Sequence, residues 1–297
     1  MRYARRTVRV IADVGRLLTM ILRLFCQKCA YYAGKEKHQK GSSRIAIDVP
    51  MPVARPSDDG KYEVHCAAGH VSTVTVDNVK FELLFEMGLN ALVDGYPREA
   101  VSSFASALER FYEFYWHTVV AFHSIPQEQA DAAWKAVAKL SERQLGMYVT
   151  AGLQLTKRCP TLLNPNQEVK FRNNVIHSGY IPTTDEATAF GDVVMQLIND
   201  SLSTLRALAP QALIATYERL SPAEKKEPKP DRAEIVWNDD EDHTGTINIL
   251  TAVDVRHPAL GEDDLRRGGV AHQFKRILRD REPHRLSVLD EPNLRRT

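Results

Sequence analysis

From Val79 onward the apolar positions fall three and four apart: Phe81, Leu84, Phe85, Gly88, Leu89 and Leu92. That period puts them on one face of a helix. Gly95 ends the run and Pro97 stands where a first helical residue tolerates the loss of its N–H. Val101, Phe104, Leu108, Phe111, Tyr112, Tyr115 and Val119 mark a long second helix. Pro126 opens a third, through Ala132, Val137 and Leu140, and a further run covers Leu145–Leu155. Asn164-Pro165 reads as a cap followed by a first helical position, and Ser178-Gly179 reads as the stop. Thr183 and Glu186 have capping-box spacing. The helix they open carries Phe190, Val193, Val194, Leu197, Ile198, Leu202 and Leu205 and is expected to run to about Leu220. Residues 79–220 are thus predicted to be one all-helical domain.

The flanks are patterned differently. Residues 1–25 combine Arg2, Arg5, Arg6, Arg9, Arg16 and Arg23 with an apolar series from Val8 to Phe25 at near-helical spacing, so a basic amphipathic N-terminal helix is expected. Three readings of it stay open: a helix docked on this protein or a partner, a translated extension upstream of a start near Met20, and a membrane-surface helix. Residues 26–78 are rich in turn formers and β-branched residues, with extended runs at Arg44–Val49, Tyr62–His65 and Val71–Val76, as in a small sheet. Residues 221–232 read as a charged, proline-containing linker. Residues 233–297 form an expected mixed appendage. It has a hairpin of Glu234–Trp237 with Thr246–Val255 around an acidic loop, then a helix from Gly269 to Arg279. The fold class expected from these patterns is mainly α, with a small N-terminal β-rich part.

Composition narrows the function classes. The 297 residues are 43% apolar and 26% charged, which excludes a wholly disordered or collagen-like chain. Thirty-nine basic and 38 acidic residues give a net charge of +1, so contact with nucleic acid would have to come from a local patch. No stretch is long and apolar enough for a transmembrane segment. Four cysteines are no disulfide framework for this length, so a reducing, cytoplasmic setting is expected.

Two constellations carry chemistry. Cys26-Gln27-Lys28-Cys29 and Cys66-Ala67-Ala68-Gly69-His70 are a C-x2-C and a C-x3-H pair joined by the β-rich excursion. Tetrahedral zinc takes four sulfur and nitrogen ligands in such paired knuckles, and a glycine before the histidine lets the backbone turn under the metal. A zinc ribbon with structural Zn2+ on Cys26, Cys29, Cys66 and His70 is the expected arrangement. Buried or redox-active cysteines are the alternative. A closed four-ligand site leaves no open position for catalysis. His65, adjacent to Cys66, is a poor substitute for His70, and Cys159 reads as structural.

The second constellation is Arg172-Asn173-Asn174-Val175-Ile176-His177 at a helix end. Asn173 and His177, four apart, share a face, and Arg172 lies about 100° round from Asn173. An arginine can clamp a phosphate with two N–H groups, and a histidine moves protons near neutrality. Together they suit metal-free cleavage of an RNA phosphodiester. Alternatively His177 serves the helix dipole and Arg172 is a surface charge. Glu109 could pair with Arg110 or Arg172, and the run Phe111, Tyr112, Phe114, Tyr115 and Trp116 reads as core or dimer interface. Phosphate-loop, dinucleotide, nucleophile-elbow and zinc-protease motifs are absent.

The R-N-x-x-x-H string, the G-Y-I-P-T turn after it and the helix from Arg98 to Tyr112 resemble the HEPN superfamily, whose signature is R-x4–6-H. The resemblance covers about 79–218. It implies an up-and-down helical bundle, usually dimeric, in which two such motifs meet to form one ribonuclease site. Arg172 and His177 would be catalytic and Asn173 the supporting polar residue. It implies a metal-independent endoribonuclease hydrolysing RNA, of the kind that act as toxins or in antiviral defence. The partners would be RNA, a second copy as homodimer through the helical domain, and a protein or nucleic-acid trigger at the ribbon. The alternative is a non-catalytic HEPN module that binds a nucleotide, nucleic acid or protein. One toxin subfamily has tyrosine two residues after the histidine, where this chain has Gly179, with Tyr180 next.

Overall fold

The computed structural model describes residues 7–8, 20, 22–24, 26–29, 53–222, 244–259, 264 and 266–281. The architecture is mainly α with a small β part. It divides into two compact units, one drawn from 1–77, 222–249 and 278–297, the other from 78–221 and 250–277.

The first unit is built on a four-stranded sheet. Its strands are β1 (Thr7–Val8), β4 (Lys61–His65), β5 (Val71–Val76) and β6 (Thr244–Ile247), in the order β1-β4-β5-β6. β2 (Leu22–Arg23) and β3 (Val53–Ala54) form a separate antiparallel pair. β4 and β5 are antiparallel, with Lys61 opposite Thr75 and His65 opposite Val71. Tyr62 and Val64 on β4 and Ser72, Val74 and Val76 on β5 face inward, the alternation that a half-buried strand needs. Gly60, at φ +61, closes the turn into β4, and a Cβ there would lie 2.8 Å from the Val76 carbonyl. Only glycine fits.

The N-terminal helix is not what the described residues form. Thr7–Val8 is a strand lying parallel to β4, and Leu22–Arg23 is a strand as well. Met20, Leu22, Leu24 and Cys26 are all buried, two apart. That is the period of a strand. The rest of 1–25, the run Arg44–Val49, most of the 221–232 linker, Glu234–Trp237 and the acidic stretch 238–243 lie outside the described residues. Thr244–Ile247 pairs with β5 in parallel register, Thr73 opposite Thr244.

The second unit is helical. α1 (Lys80–Val93), α2 (Pro97–Phe122), α3 (Gln127–Val137) and α4 (Ser141–Thr156) are followed by a π-helical turn at Pro165–Val169. Then come α5 (Lys170–His177), α6 (Thr184–Leu208), α7 (Pro210–Leu220) and, as far as Ile277, α8 (Val270–Arg281). Pro97 occupies the first turn of α2 and Thr183 caps α6 in a capping box with Glu186, as their spacing predicts. α6 does not run on to Leu220. Pro210 can give no N–H and forces the preceding residue out of helical geometry, so Ala209 sits at φ −137, ψ 47 and α7 starts anew.

α2 is the centre of the bundle, packed on α1, α4, α5, α6 and α7. Phe111, Tyr112, Phe114, Tyr115 and Trp116 are all buried, so this aromatic run is core. Phe81 meets Phe111 and Phe114 edge-on at 5.2 Å each, and Tyr148 stacks on Tyr112 at 4.6 Å. Such pairs add about 0.5–1.5 kcal/mol each beyond burial. The Phe104 ring lies between two glycines. A Cβ on Gly88 would come within 2.5 Å of it and one on Gly191 within 2.7 Å.

Residues 250–277, read from the sequence as part of a separate appendage, belong to this unit and are tied in by buried polar bonds. The carboxylate of Glu82 accepts N–H groups from Asn78 (2.9 Å), Val79 (3.2 Å) and Val255 (2.7 Å). Arg276 and Glu86 form a buried ion pair at 2.8 Å. Arg206 donates to the Asp254 carbonyl.

Two buried titratable groups set a pH response. Burial and the nearby Asp254 carboxylate push Glu82 up to about 8, against its three donors. Burial, aided by Arg219, lowers His117 to about 4. For Glu82 the folded state holds the proton more tightly. Its contribution is therefore complete below the ordinary carboxyl value of 4.5 and is lost as pH rises toward about 8. For His117 the folded state holds the proton less tightly, so its contribution is complete above 6.5 and is lost as pH falls toward about 4. The two slopes oppose each other between 4.5 and 6.5. The urea midpoint of the helical unit should be flat there and fall on either side. Each shifted pKa unit is worth about 1.4 kcal/mol, so the alkaline loss is on the order of a few kcal/mol. A midpoint that rises from pH 6.5 to 8.5 contradicts this.

Candidate functional site

The two pairs of metal-ligand residue types meet in the first unit. Cys26 follows β2, Cys29 lies in a helical turn that includes 27–29, and Cys66 and His70 flank the tight turn between β4 and β5. The Cys66 N–H donates to the His70 carbonyl at 3.1 Å and the Gly69 N–H to the Cys66 carbonyl at 3.0 Å. Gly69 sits at φ +78 with open space where a Cβ would be, so conformation rather than crowding asks for glycine. Cys29 Sγ is 3.7 Å from Cys66 Sγ and 3.3 Å from His70 Nδ1, and Cys26 Sγ is 3.9 Å from His70 Nδ1. All four ligand atoms lie within 4.8 Å of one another. A tetrahedral ion holding sulfur at about 2.3 Å and nitrogen at about 2.0 Å separates its ligand atoms by roughly 3.5–3.8 Å. The observed separations bracket that span, so the four residues could bind a metal ion.

The surroundings shift two of the thiols in opposite directions. Burial and the neighbouring Cys26 push the Cys29 thiol upward. Burial also raises Cys66, but hydrogen bonds from the backbone N–H groups of His70 and Ala68 outweigh it and lower that thiol. The sulfurs are crowded in a way that disfavours several negative charges unless a cation shares the site. His65 points to Glu63 at 2.8 Å and takes no part, and Cys159 is an exposed residue of the second unit. Gln27, between the first two cysteines, packs so closely on Gly245 of β6 that a Cβ there would fall 2.0 Å from its amide carbon. The first knuckle is thereby held against the edge of the sheet.

In the second unit, Asn164 caps the π-helical turn through Asn166 N–H, and α5 carries Arg172, Asn173 and His177. The Arg172 side chain is 20% exposed, with Nη1 3.8 Å from Glu109 Oε1. Its Nε and Nη2 donate to Asn173 Oδ1 at 3.1 and 2.9 Å. Glu109 also accepts from Ser141 at 2.6 Å, and Arg110 turns instead to Glu113 and Gln144. His177 is the exposed last residue of α5. The fold thus joins Arg172, Asn173 and Glu109, but it does not join Arg172 to His177. Five residues of helix separate them by about 140° and roughly 7.5 Å of rise.

The face of α5 turned away from Arg172 carries no motif in the sequence. Lys170, Phe171 and Asn174, with Gln167, Tyr180 and Glu186, line an open cleft of about 290 Å³. The G-Y dipeptide after the helix was its only signal.

Among the described residues no helix is long and apolar enough to cross a membrane. The chain was compared with protein-family models, curated proteins and solved structures, and none matches.

Proposed function

We propose that the chain is a metal-independent endoribonuclease of the HEPN type, with a structural zinc ion in its N-terminal unit. The observation that supports the reading is the placement of an exposed proton carrier, His177, on the same short helix as an arginine oriented by Asn173 and Glu109. In the reaction the ribose 2′-oxygen attacks the adjacent phosphorus as its proton passes to a base. The bond from phosphorus to the 5′-oxygen breaks, and an acid protonates the leaving oxygen. The products are a 2′,3′-cyclic phosphate and a 5′-hydroxyl end. His177 is the proton carrier and Arg172 stabilises the charge gathering on the phosphoryl oxygens. Cys26, Cys29, Cys66 and His70 would hold zinc, which supplies folding energy to a unit with a small core.

One α5 directs Arg172 and His177 apart, so a complete site calls for two copies with their α5 helices facing each other. Light scattering should give twice 33.5 kDa at micromolar concentration. Incubation with RNA should give 5′-hydroxyl ends with magnesium absent. A fully active monomer removes the composite site. A product bearing a 5′-phosphate, or a requirement for added magnesium, removes the mechanism.

A second reading rests on Arg172 itself. A guanidinium already engaged by Asn173 and Glu109 suits a non-catalytic module that holds a nucleotide, nucleic acid or protein. RNA binding without cleavage selects it.

A further inference from the structure

The cleft beside α5 is shaped by a turn that fixes one aromatic ring in the open. Gly179, at φ +74, lets the chain fold back over the helix end. The Asn174 carbonyl accepts the Tyr180 N–H at 3.1 Å. At the far end of the ring the Tyr180 hydroxyl donates to the two Glu186 carboxylate oxygens at 2.8 and 3.1 Å. Glu186 is itself held by the Thr183 N–H and hydroxyl as the capping box of α6. Edge-on against the ring lies Phe171 at 6.4 Å, and Phe171 in turn packs on Phe190 of the core at 5.7 Å. Tyr180 is therefore held at both ends, yet it remains 43% exposed.

An exposed aromatic ring usually gains by swinging onto an apolar neighbour. Here two hydrogen bonds keep it open, so a flat ligand could stack on it with little ordering cost. Around the ring stand the polar groups of Asn174, Gln167 and Lys170, which offer amide donors and acceptors and a cation. The cleft, at about 290 Å³, is at the small end for ligand pockets and suits one planar ring system. It opens on the flank of the helix that ends in His177.

We infer that this cleft seats one unpaired RNA base, stacked on Tyr180, with Lys170 on a neighbouring phosphate. The inference rests on the ribonuclease reading for its ligand and narrows the substrate class to single-stranded RNA. A base inside a duplex has both faces covered and its pairing edge occupied, so it cannot enter.

The test uses the intact chain carrying His177→Ala, which stops cleavage under the proposed mechanism, and a fluorescent, unstructured RNA oligonucleotide. Adding Tyr180→Ala should weaken binding roughly 5- to 150-fold, the range for losing one base–aromatic stack. Tyr180→Phe, which keeps the ring but frees it from Glu186, should lie between wild type and Tyr180→Ala. Affinity for a duplex of the same sequence should not change. Lys170→Ala should lower the salt slope of binding by about 0.7. Equal single-strand affinity with and without Tyr180, in a variant of unchanged circular dichroism, overturns the inference. So does an equal loss for duplex and single strand. The two readings fail separately. If wild type does not cleave RNA but Tyr180→Ala still loses single-strand binding, the nuclease falls and the base site stands. If cleavage depends on His177 while Tyr180→Ala binds normally, the base site falls alone.

Discussion

His177→Ala should lower RNA cleavage by about 10²–10⁴-fold, and Arg172→Ala by about 10²–10³-fold, in chains that remain folded. His177 is exposed at the last position of its helix, so removing the ring breaks no packing, and its stability effect should stay within about 0.5 kcal/mol. Arg172 differs in kind. Its side chain is mostly buried and closes a chain of contacts from Asn173 through Glu109 to Ser141. Truncation leaves Glu109 with Ser141 as its partner, so a stability loss of around 1 kcal/mol should accompany the loss of activity. Arg172→Lys separates the two effects. A lysine restores a positive charge beside Glu109 and should recover most of the stability. It should recover little cleavage, because a single ammonium cannot present the two parallel N–H groups of a guanidinium. Chelator in the assay should leave the rate unchanged until the structural metal is stripped. Cleavage at the wild-type rate in His177→Ala, with matched unfolding midpoints, would end the assignment of this helix as the site.

Cys66→Ser should abolish metal binding and unfold the first unit while helical circular dichroism stays largely intact. The reason is that each unit has a core of its own, of very different size. The helical unit buries a continuous cluster from Val79 to Ile277 that contains none of the four ligands. Among its described residues the first unit buries Met20, Leu22, Leu24, Tyr62, Val64, Val74, Val76 and Ile247 beside Cys26 and Cys66, a short list for a free-standing fold. Structural zinc supplies about 10–16 kcal/mol in small domains of this type, more than such a core can lose and remain folded. Cys66 is the informative position, because its sulfur lies 3.7 Å from Cys29 and its backbone closes the turn that carries His70. Metal analysis of the purified wild type should give one zinc per chain and the variant none. Proteolysis should then cut the variant within residues 53–77 and spare α1 to α7. A metal-free wild type with the first unit intact contradicts the prediction.

Local chemistry was enough to place much of this molecule. The three-and-four spacing from Phe81 to Leu205 marks the helices because one face of each must leave water, and Pro97, Asn164, Thr183 and Gly179 mark their ends because backbone groups there need particular partners or angles. That Cys26, Cys29, Cys66 and His70 would meet was also legible, since a knuckle puts its two residues close in sequence and Gly69 announces the turn. Other features depended on neighbours distant along the chain. The alternation Met20, Leu22, Leu24, Cys26 became a strand signal only with a partner at Val53–Ala54, and short runs are ambiguous until paired. That Val255 would bond to Glu82, 173 positions away, and so bring 250–277 into the helical core, is a long-range pairing of buried polar groups that no local period encodes. The same holds at the candidate site. Residue types on one helix named Arg172, Asn173 and His177, but which of them meet was decided by the tertiary structure. It turned Arg172 toward Glu109 on α2, left His177 in solvent, and folded Tyr180 back against Phe171, because side-chain direction follows from what each face of α5 packs against.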